Sequence, residues 1–160
     1  MTIEESDLPS RQPIPYESAL RRQEFLVAAR QESRIADCLW LLEHEPTITF
    51  GTKGGQENLR GSETSIEASG FRLVPTRRGG DVTCHEPGQL VGYPVVSIEK
   101  DRDLHEYLRC VEESIILSLA RFGLDGHRVE GRTGVWLSGD RPPRKIAAIG
   151  VRCQRWVTSH

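Results

Sequence analysis

Between Arg77 and Val96 the chain reads RRGGDVTCHEPGQLVGYPVV, which places a thiol, an imidazole and a carboxylate in direct succession, Cys84-His85-Glu86, behind a Gly79-Gly80 turn. These three groups serve nucleophilic catalysis and metal binding alike. Their spacing argues against both. Neighbouring side chains on an extended chain leave on opposite faces, so three consecutive residues cannot close on one ion and Cys84 cannot pass a proton to His85. Two readings stay open. One is a loop whose glycines let main chain approach a ligand, with Arg78 supplying charge and His85 a polar contact; the other is a tight turn with an incidental histidine.

The second chemical candidate is Lys145, which opens the apolar run Ile146-Ala147-Ala148-Ile149-Gly150-Val151. Desolvation at the edge of such a run lowers a lysine pKa and makes the amine usable for proton transfer, whereas most lysines at strand starts are simply solvated. The small residues Ala147, Ala148 and Gly150 leave space beside that run for a ligand or for a packed helix. His160, at the end of Trp156-Val157-Thr158-Ser159-His160, carries no local sign of function.

The elements that must position these groups alternate between helix and strand. Ala19, Leu20, Leu26 and Val27 share a helical face between Tyr16 and Arg30. Arg34 to Glu43 is a compact apolar run, and Thr47-Ile48-Thr49-Phe50 after Pro46 favours a strand. Gly51, Gly54 and Gly55 make a loop, and Gly61 to Gly70 is polar and expected to be exposed. Phe71 to Pro75 and Leu90 to Ile98 read as strands, the latter with Pro94 at an edge or bulge. Asp103, three residues before Glu106, starts a helix carrying Leu104, Tyr107, Leu108, Val111, Ile115 and Leu119 as far as Gly123. Gly134 to Leu137 and Lys145 to Arg152 read as strands joined by a turn over Ser138 to Pro143. The pattern is that of an α/β or α+β domain with a mixed sheet and flanking helices.

At 160 residues, 37% hydrophobic and 28% charged, the chain is expected to form one domain over residues 16–160, preceded by a mobile, proline-containing lead-in over 1–15. Its net charge of −2 argues against nucleic acid as the main partner. No window approaches the roughly eighteen apolar residues of a membrane span, and the acidic start is unlike a targeting signal, so a cytoplasmic protein is expected. Cys38, Cys84, Cys110 and Cys153 are too scattered for a disulfide framework or a zinc module. Arg141, Arg144, Lys145, Arg152 and Arg155, with no acidic residue among them, offer a local site for something anionic. Gly51-Thr52-Lys53-Gly54-Gly55 lacks the spacing of a phosphate-binding P-loop.

Taken in order, LLEHEPTITFG (Leu41 to Gly51), RRGGDVTCHEPGQLVGYPVV, GVWL (Gly134 to Leu137), KIAAIGVR (Lys145 to Arg152) and the terminal TSH resemble the lipoyl(octanoyl) transferases of the lipoate-protein ligase B type, over Tyr16 to His160. The resemblance implies the fold shared with biotin protein ligases and lipoate ligases. It implies transfer of an octanoyl group from acyl carrier protein to a lysine of a lipoyl domain, through a cysteine thioester and with no cofactor. It assigns Arg78, Gly79, Gly80, Val82, Thr83 and His85 to the acyl pocket, Ala148, Ile149 and Gly150 to a second piece of it, and His160 to a histidine preceding a third. Lys145 matches the lysine that lowers the pKa of the nucleophilic thiol. Asp81, Cys84 and Glu86 depart from the family pattern, and Asp81 and Cys84 are expected to line the pocket through main chain. The family's nucleophile lies in a loop beyond the Thr-Ser-His segment, and none of the four cysteines matches it. The 160 residues alone are therefore expected to form no acyl-enzyme and to self-associate. A catalytically inactive module binding acyl carrier protein or lipoyl domains through the basic segment is the alternative.

Overall fold

The computed structural model describes residues 2–3, 12–139 and 142–160. It divides into one unit of Met1–Lys100 with Gly150–His160 and another of Asp101–Ile149. Most of the expected lead-in, residues 1 and 4–11, lies outside the described residues, as does Arg141 of the basic segment.

In the first unit β1 (Thr2–Ile3) is followed by α1 (Tyr16–Gln31), which begins directly after Pro15, a residue suited to the first helical turn. Tyr16, Ala19, Gln23, Leu26 and Ala29 are its buried stripe, at spacings of three and four. Ala19 and Leu26 lie on that stripe as expected. Leu20 and Val27 are half-buried at its margin, and the polar Gln23 holds the middle. β2 (Cys38–Leu42) turns Cys38, Trp40 and Leu42 inward. It pairs parallel with β1 and antiparallel with β6 (Val91–Val95), Leu39 standing opposite Pro94 at the sheet's edge. Trp40, Leu42 and Tyr93 pack with Ala19, and Cys38, Val95 and Val157 with Leu26, so α1 lies on this sheet.

A second mixed sheet sets β3 (Thr47–Phe50) between a parallel β4 (Arg72–Pro75) and an antiparallel β5 (Val82–His85). The Gly61 to Gly70 stretch is exposed as expected, yet it contains α2 (Glu63–Ala68), capped by Ser62, whose hydroxyl accepts from the Ser65 amide at 3.2 Å. Six residues with no buried side chain leave no periodicity to read.

The second unit opens with α3 (Leu104–Ala120), and Asp103 caps it as its spacing from Glu106 requires: its Oδ1 accepts from the amides of His105 and Glu106 at 2.8 and 3.0 Å. Against α3 lies the antiparallel sheet of β7 (Gly126–Val129), β8 (Arg132–Leu137) and β9 (Arg144–Ala147). The expected strand Lys145 to Arg152 is thus cut at Ala147. The chain resumes in the first unit as β10 (Arg152–Gln154), paired with β11 (Val157–Ser159). Past that point the chain is engaged by a residue distant in sequence: the Gly79 amide donates to the Val151 carbonyl at 2.9 Å, so this stretch pairs with the glycine turn instead of continuing a sheet. Among the described residues no helix is long and apolar enough to cross a membrane.

Candidate functional site

β3 supplies the first clue, because its inward residues are hydroxyl-bearing: Thr47 and Thr49 are fully buried while Ile48 and Phe50 are half-buried. A buried hydroxyl needs a partner. For Thr49 that partner is Arg78, itself only 7% exposed. Its Nη2 donates to the Thr49 carbonyl at 2.9 Å and to Thr49 Oγ1 at 2.8 Å, and its Nη1 donates to the Gly79 carbonyl at 3.0 Å. These partners are main chain and hydroxyl, with no carboxylate among them. Burial accordingly pulls the guanidinium pKa below its ordinary value, while Tyr16, Tyr93 and Asp81 oppose the shift.

The glycines around Arg78 make this burial possible. A Cβ on Gly51 would strike the Gly80 carbonyl oxygen and come within 2.8 Å of Arg78 Nη1. One on Gly150 would lie 2.7 Å from the Gly79 carbonyl oxygen and 3.2 Å from Arg78 Cδ. Gly80 itself has a φ of +89°. The glycines thus admit the arginine and neighbouring main chain at close range. The second glycine loop is committed in the same way: the amides of Gly51, Thr52 and Lys53 donate to the carbonyls of Asp81, Arg78 and Gly80 at 3.1, 2.9 and 3.0 Å. Those donors are taken up internally, and none of the three is left to cradle a phosphate.

β5 is extended, so its side chains diverge as the sequence requires. His85 faces Thr49 and the interior. Its Nδ1 lies 2.9 Å from Gln89 Oε1, and its ring stacks 6.0 Å from Tyr16 and meets His44 edge-on at 5.4 Å. Cys84 and Val82 face the other way, into a groove of about 730 Å³ shared with Ile48, Ile66 and Phe71. Burial and Glu86 push the Cys84 thiol pKa up, which disfavours the thiolate. The Thr83 carbonyl accepts from Thr49 Oγ1 at 3.4 Å. Asp81 caps the strand, its Oδ1 accepting from the Val82 amide at 2.7 Å and from Asn58 Nδ2 at 2.9 Å.

Behind His85 stands a polar cluster that sequence reasoning did not single out. His44 is fully buried. Its Nδ1 lies 2.9 Å from the Ile14 carbonyl and must donate to it, which leaves Nε2 to accept the Tyr93 hydroxyl at 2.6 Å. Tyr16 and Gln23 complete the group, and Gln23 Oε1 accepts from the His160 amide at 3.0 Å. Among the described residues, Gln23 Nε2 and His160 Nδ1 are buried with no hydrogen-bond partner. Both residues line a cavity of about 190 Å³ with Val27, Arg77, Arg152 and Ser159. One signal was available in the sequence: the Thr-x-Thr alternation of β3 announces a polar buried face.

The histidines give this unit a pH dependence of definite sign. Burial first, and nearby positive groups second, hold His85 at about 4, against 6.5 for a free imidazole. Between those values the unfolded chain binds more protons than the folded one, so stability is fully present above about 6.5 and is lost as pH falls through 4. His85 alone contributes on the order of 3 kcal/mol to this loss. His160, also held at about 4 by burial, and His44, shifted down for the same reason, act in the same direction. Urea midpoints measured from pH 7 to pH 4 are expected to fall, and His85→Asn is expected to flatten the slope.

In the second unit Lys145 lies opposite Trp136. Its Nζ donates to the Thr133 carbonyl at 3.2 Å and sits 4.6 Å from the centre of the Trp136 ring. Burial and then Arg132 pull its pKa down. Ala148 is exposed and Ile149 half-buried.

The model of the lipoyl protein ligase A/B catalytic domain matches residues 15–160. A protein of Solibacter usitatus named octanoyltransferase is 48% identical over 148 residues, covering 92% of this chain and 66% of that protein. Octanoyltransferases of Maridesulfovibrio salexigens, 43% identical over 92% of this chain and 67% of their own length, and of Flavobacterium johnsoniae, 50% identical over 76% and 53%, are similar in the same way. The chain therefore spans about half to two thirds of these relatives. Among solved structures, the bipartite lipoate protein ligase of Thermoplasma acidophilum aligns with a TM-score of 0.66 at 20% identity, covering 87% of this chain and 54% of that one. A lipoate-protein ligase A bound with ATP aligns with a TM-score of 0.64 at 20% identity, covering 86% and 59%. These structures share the fold, the lipoate ligase α/β fold anticipated from the sequence.

Proposed function

We propose, since the chain belongs to the family of lipoyl protein ligase A/B catalytic domains, that it carries the acyl-handling part of an octanoyltransferase. The octanoyl group is taken from acyl carrier protein and delivered to the ε-amino group of a lysine on a lipoyl domain in the cytoplasm, through a cysteine thioester. The observation that carries this reading is the 48% identity over 148 residues to a named octanoyltransferase, in a chain whose exposed Lys145 amine is held against the Thr133 carbonyl and the Trp136 ring.

The residues divide the work. The resemblance assigns Arg78, Gly79, Gly80, Val82, Thr83 and His85, with the main chain of Asp81 and Cys84, to binding the acyl group, and likewise Ala148, Ile149 and Gly150, with His160 matching a histidine that precedes a further piece. In the first half-reaction the Lys145 amine takes the proton of the nucleophilic thiol. The thiolate attacks the carrier's thioester carbonyl, and the carrier's thiol leaves with that proton. In the second, the neutral acceptor amine attacks the enzyme thioester, the C–S bond breaks, and the proton the amine loses passes by way of Lys145 to the departing cysteine sulfur. A lysine suits both because it exchanges a proton readily once its pKa is lowered.

None of the four thiols present fits the nucleophile's position. Burial raises the pKa of Cys84 and of Cys153, Cys38 is buried at 4% exposure, and the Cys110 thiol donates to Glu106 Oε1 at 3.8 Å. A nucleophilic thiol needs a neighbouring cation rather than a carboxylate. The resemblance places the nucleophile in a loop beyond the Thr158-Ser159-His160 segment. Incubation of the 160-residue chain with octanoyl-acyl carrier protein, followed by intact-mass measurement, is expected to show no octanoyl adduct. A stable adduct on Cys84 or Cys153 would refute that assignment.

A further inference from the structure

The Lys145 amine is useful only if its direction is fixed, and three features of the second unit converge on that. The first is a bulge. Val135 stands opposite Ala147 and Trp136 opposite Lys145, so Ile146 is the extra residue of β9. Without it Lys145 and Ala147 would share a face; with it Lys145 turns to the face of Trp136. The second is the slot its stem occupies. A Cβ on Gly134 would lie 3.2 Å from Lys145 Cε and 2.6 Å from the Ala147 carbonyl oxygen. Gly134 also has a φ of +131°, where other residues are strained.

The third feature is Glu112, the one fully buried residue of α3. Its Oε1 accepts from the Gly134 amide at 2.9 Å and from Arg109 Nη2 at 3.0 Å, and its Oε2 accepts from Arg128 Nε at 3.1 Å. Arg128 Nη2 donates in turn to Glu113 and to the Arg109 carbonyl, at 2.7 and 2.9 Å. Burying the Glu112 carboxylate carries a desolvation cost that its two part-exposed arginines offset, and an apolar residue there could not accept from the Gly134 amide. What Glu112 fixes is the main chain at Gly134, next to the Thr133 carbonyl that accepts from Lys145.

We propose that Glu112 and Trp136 are positioning residues for Lys145. Glu112 clamps the backbone of β8 so that the Thr133 carbonyl and the bare Gly134 form the seat of the lysine stem. Trp136 supplies the aromatic face over which the ammonium is held. The inference rests on the reading of Lys145 as the lysine that handles the thiol proton.

The test separates placement from catalysis. The sequence has three lysines, so in a chain labelled on lysine Lys53 and Lys100 serve as internal references. The Hε protons of Lys145, lying against the indole, are expected upfield of the other two. Glu112→Gln keeps an oxygen for the Gly134 amide and is expected to retain that displacement; Glu112→Leu and Trp136→Leu are expected to lose it. Gly134→Ala, which leaves Glu112 and its arginines intact, is expected to lose it by filling the slot. A folded Glu112→Leu chain with Lys145 resonances unmoved overturns the proposal. If Glu112→Leu does not fold, Gly134→Ala decides: an unchanged Lys145 signal there overturns it equally. Octanoyl transfer by the longer protein carrying Gly134→Ala is expected to fall in kcat with KM held. A displaced lysine with an unaltered kcat supports the placement and sinks the catalytic reading instead.

Discussion

Replacing Lys145 with alanine, in the protein that includes the nucleophilic cysteine, is expected to lower octanoyl transfer by about 10²–10⁴-fold, the range that a positioned proton-transfer group supplies. Three properties of the site set this size. The amine has one carbonyl partner and one aromatic face and, among the described residues, no carboxylate partner, so no ion pair there holds its proton. Partial desolvation first and Arg132 second pull its pKa down, the direction that eases release of its proton. The thiolate that its proposed role would produce is far more nucleophilic than the thiol. Lys145→Arg is expected to fail almost as badly despite keeping the charge, because a guanidinium does not release its proton at these pH values. Neither change is expected to alter stability by more than about 1 kcal/mol, the worth of an exposed cation resting on an aromatic ring. Transfer rates paired with urea midpoints check both statements, and a Lys145→Arg protein with near-normal kcat would contradict the proton-transfer role.

The second large effect is structural. Arg78→Met is expected to destabilise the first unit by about 2–4 kcal/mol, since it strips partners from the Thr49 and Gly79 carbonyls inside the protein. Arg78→Lys is expected to recover little of this. One ammonium cannot reach both sides of the loop as the planar guanidinium does, and the glycine packing at Gly51 and Gly150 is shaped to that group. The loss extends to function, because Arg78 ties the Gly79-Gly80 turn to β3 and so holds the proposed acyl wall. Denaturation midpoints for the two variants, with octanoyl-dependent chemical-shift changes at Gly79 and Gly80, measure the two consequences separately. A fully stable Arg78→Met protein would contradict the account of the loop.

Much of this was legible in the residues. The α1 and α3 segments followed from periodicity, β3 from its β-branched residues and β4 from a short strand-like run, and the Asp103 cap followed from its spacing to Glu106. The divergence of Cys84 and His85 followed from β-strand geometry alone. What could not be read had physical causes. α2 is too short and too exposed to show a period. β7, Gly126-His127-Arg128-Val129, has composition unlike a strand and is held by its pairing with β8. β9 ends because Val151 is engaged by Gly79, a contact between residues more than seventy positions apart. The glycines left a ligand-approach loop and a tight turn both open in the sequence; the structure adds that Gly51 and Gly150 pack closely against Arg78 and the Gly79-Gly80 main chain. His44, Tyr93 and Gln23 were passed over because a buried polar cluster is assembled from three elements, each unremarkable on its own. Glu112 was hidden in the same way, as one of several acidic residues on a helix until Gly134 and two arginines are seen around it.

The central claim is that this chain belongs to an enzyme that takes its acyl group from a carrier thioester, on a fold it shares with ligases. The most direct measurement is the mass of a lipoyl domain after incubation with the protein that includes the nucleophile, supplied either with octanoyl-acyl carrier protein alone or with free octanoate and ATP. Octanoylation with the carrier thioester, and none with octanoate and ATP, is the predicted result. Octanoylation only when ATP and the free acid are present would contradict it.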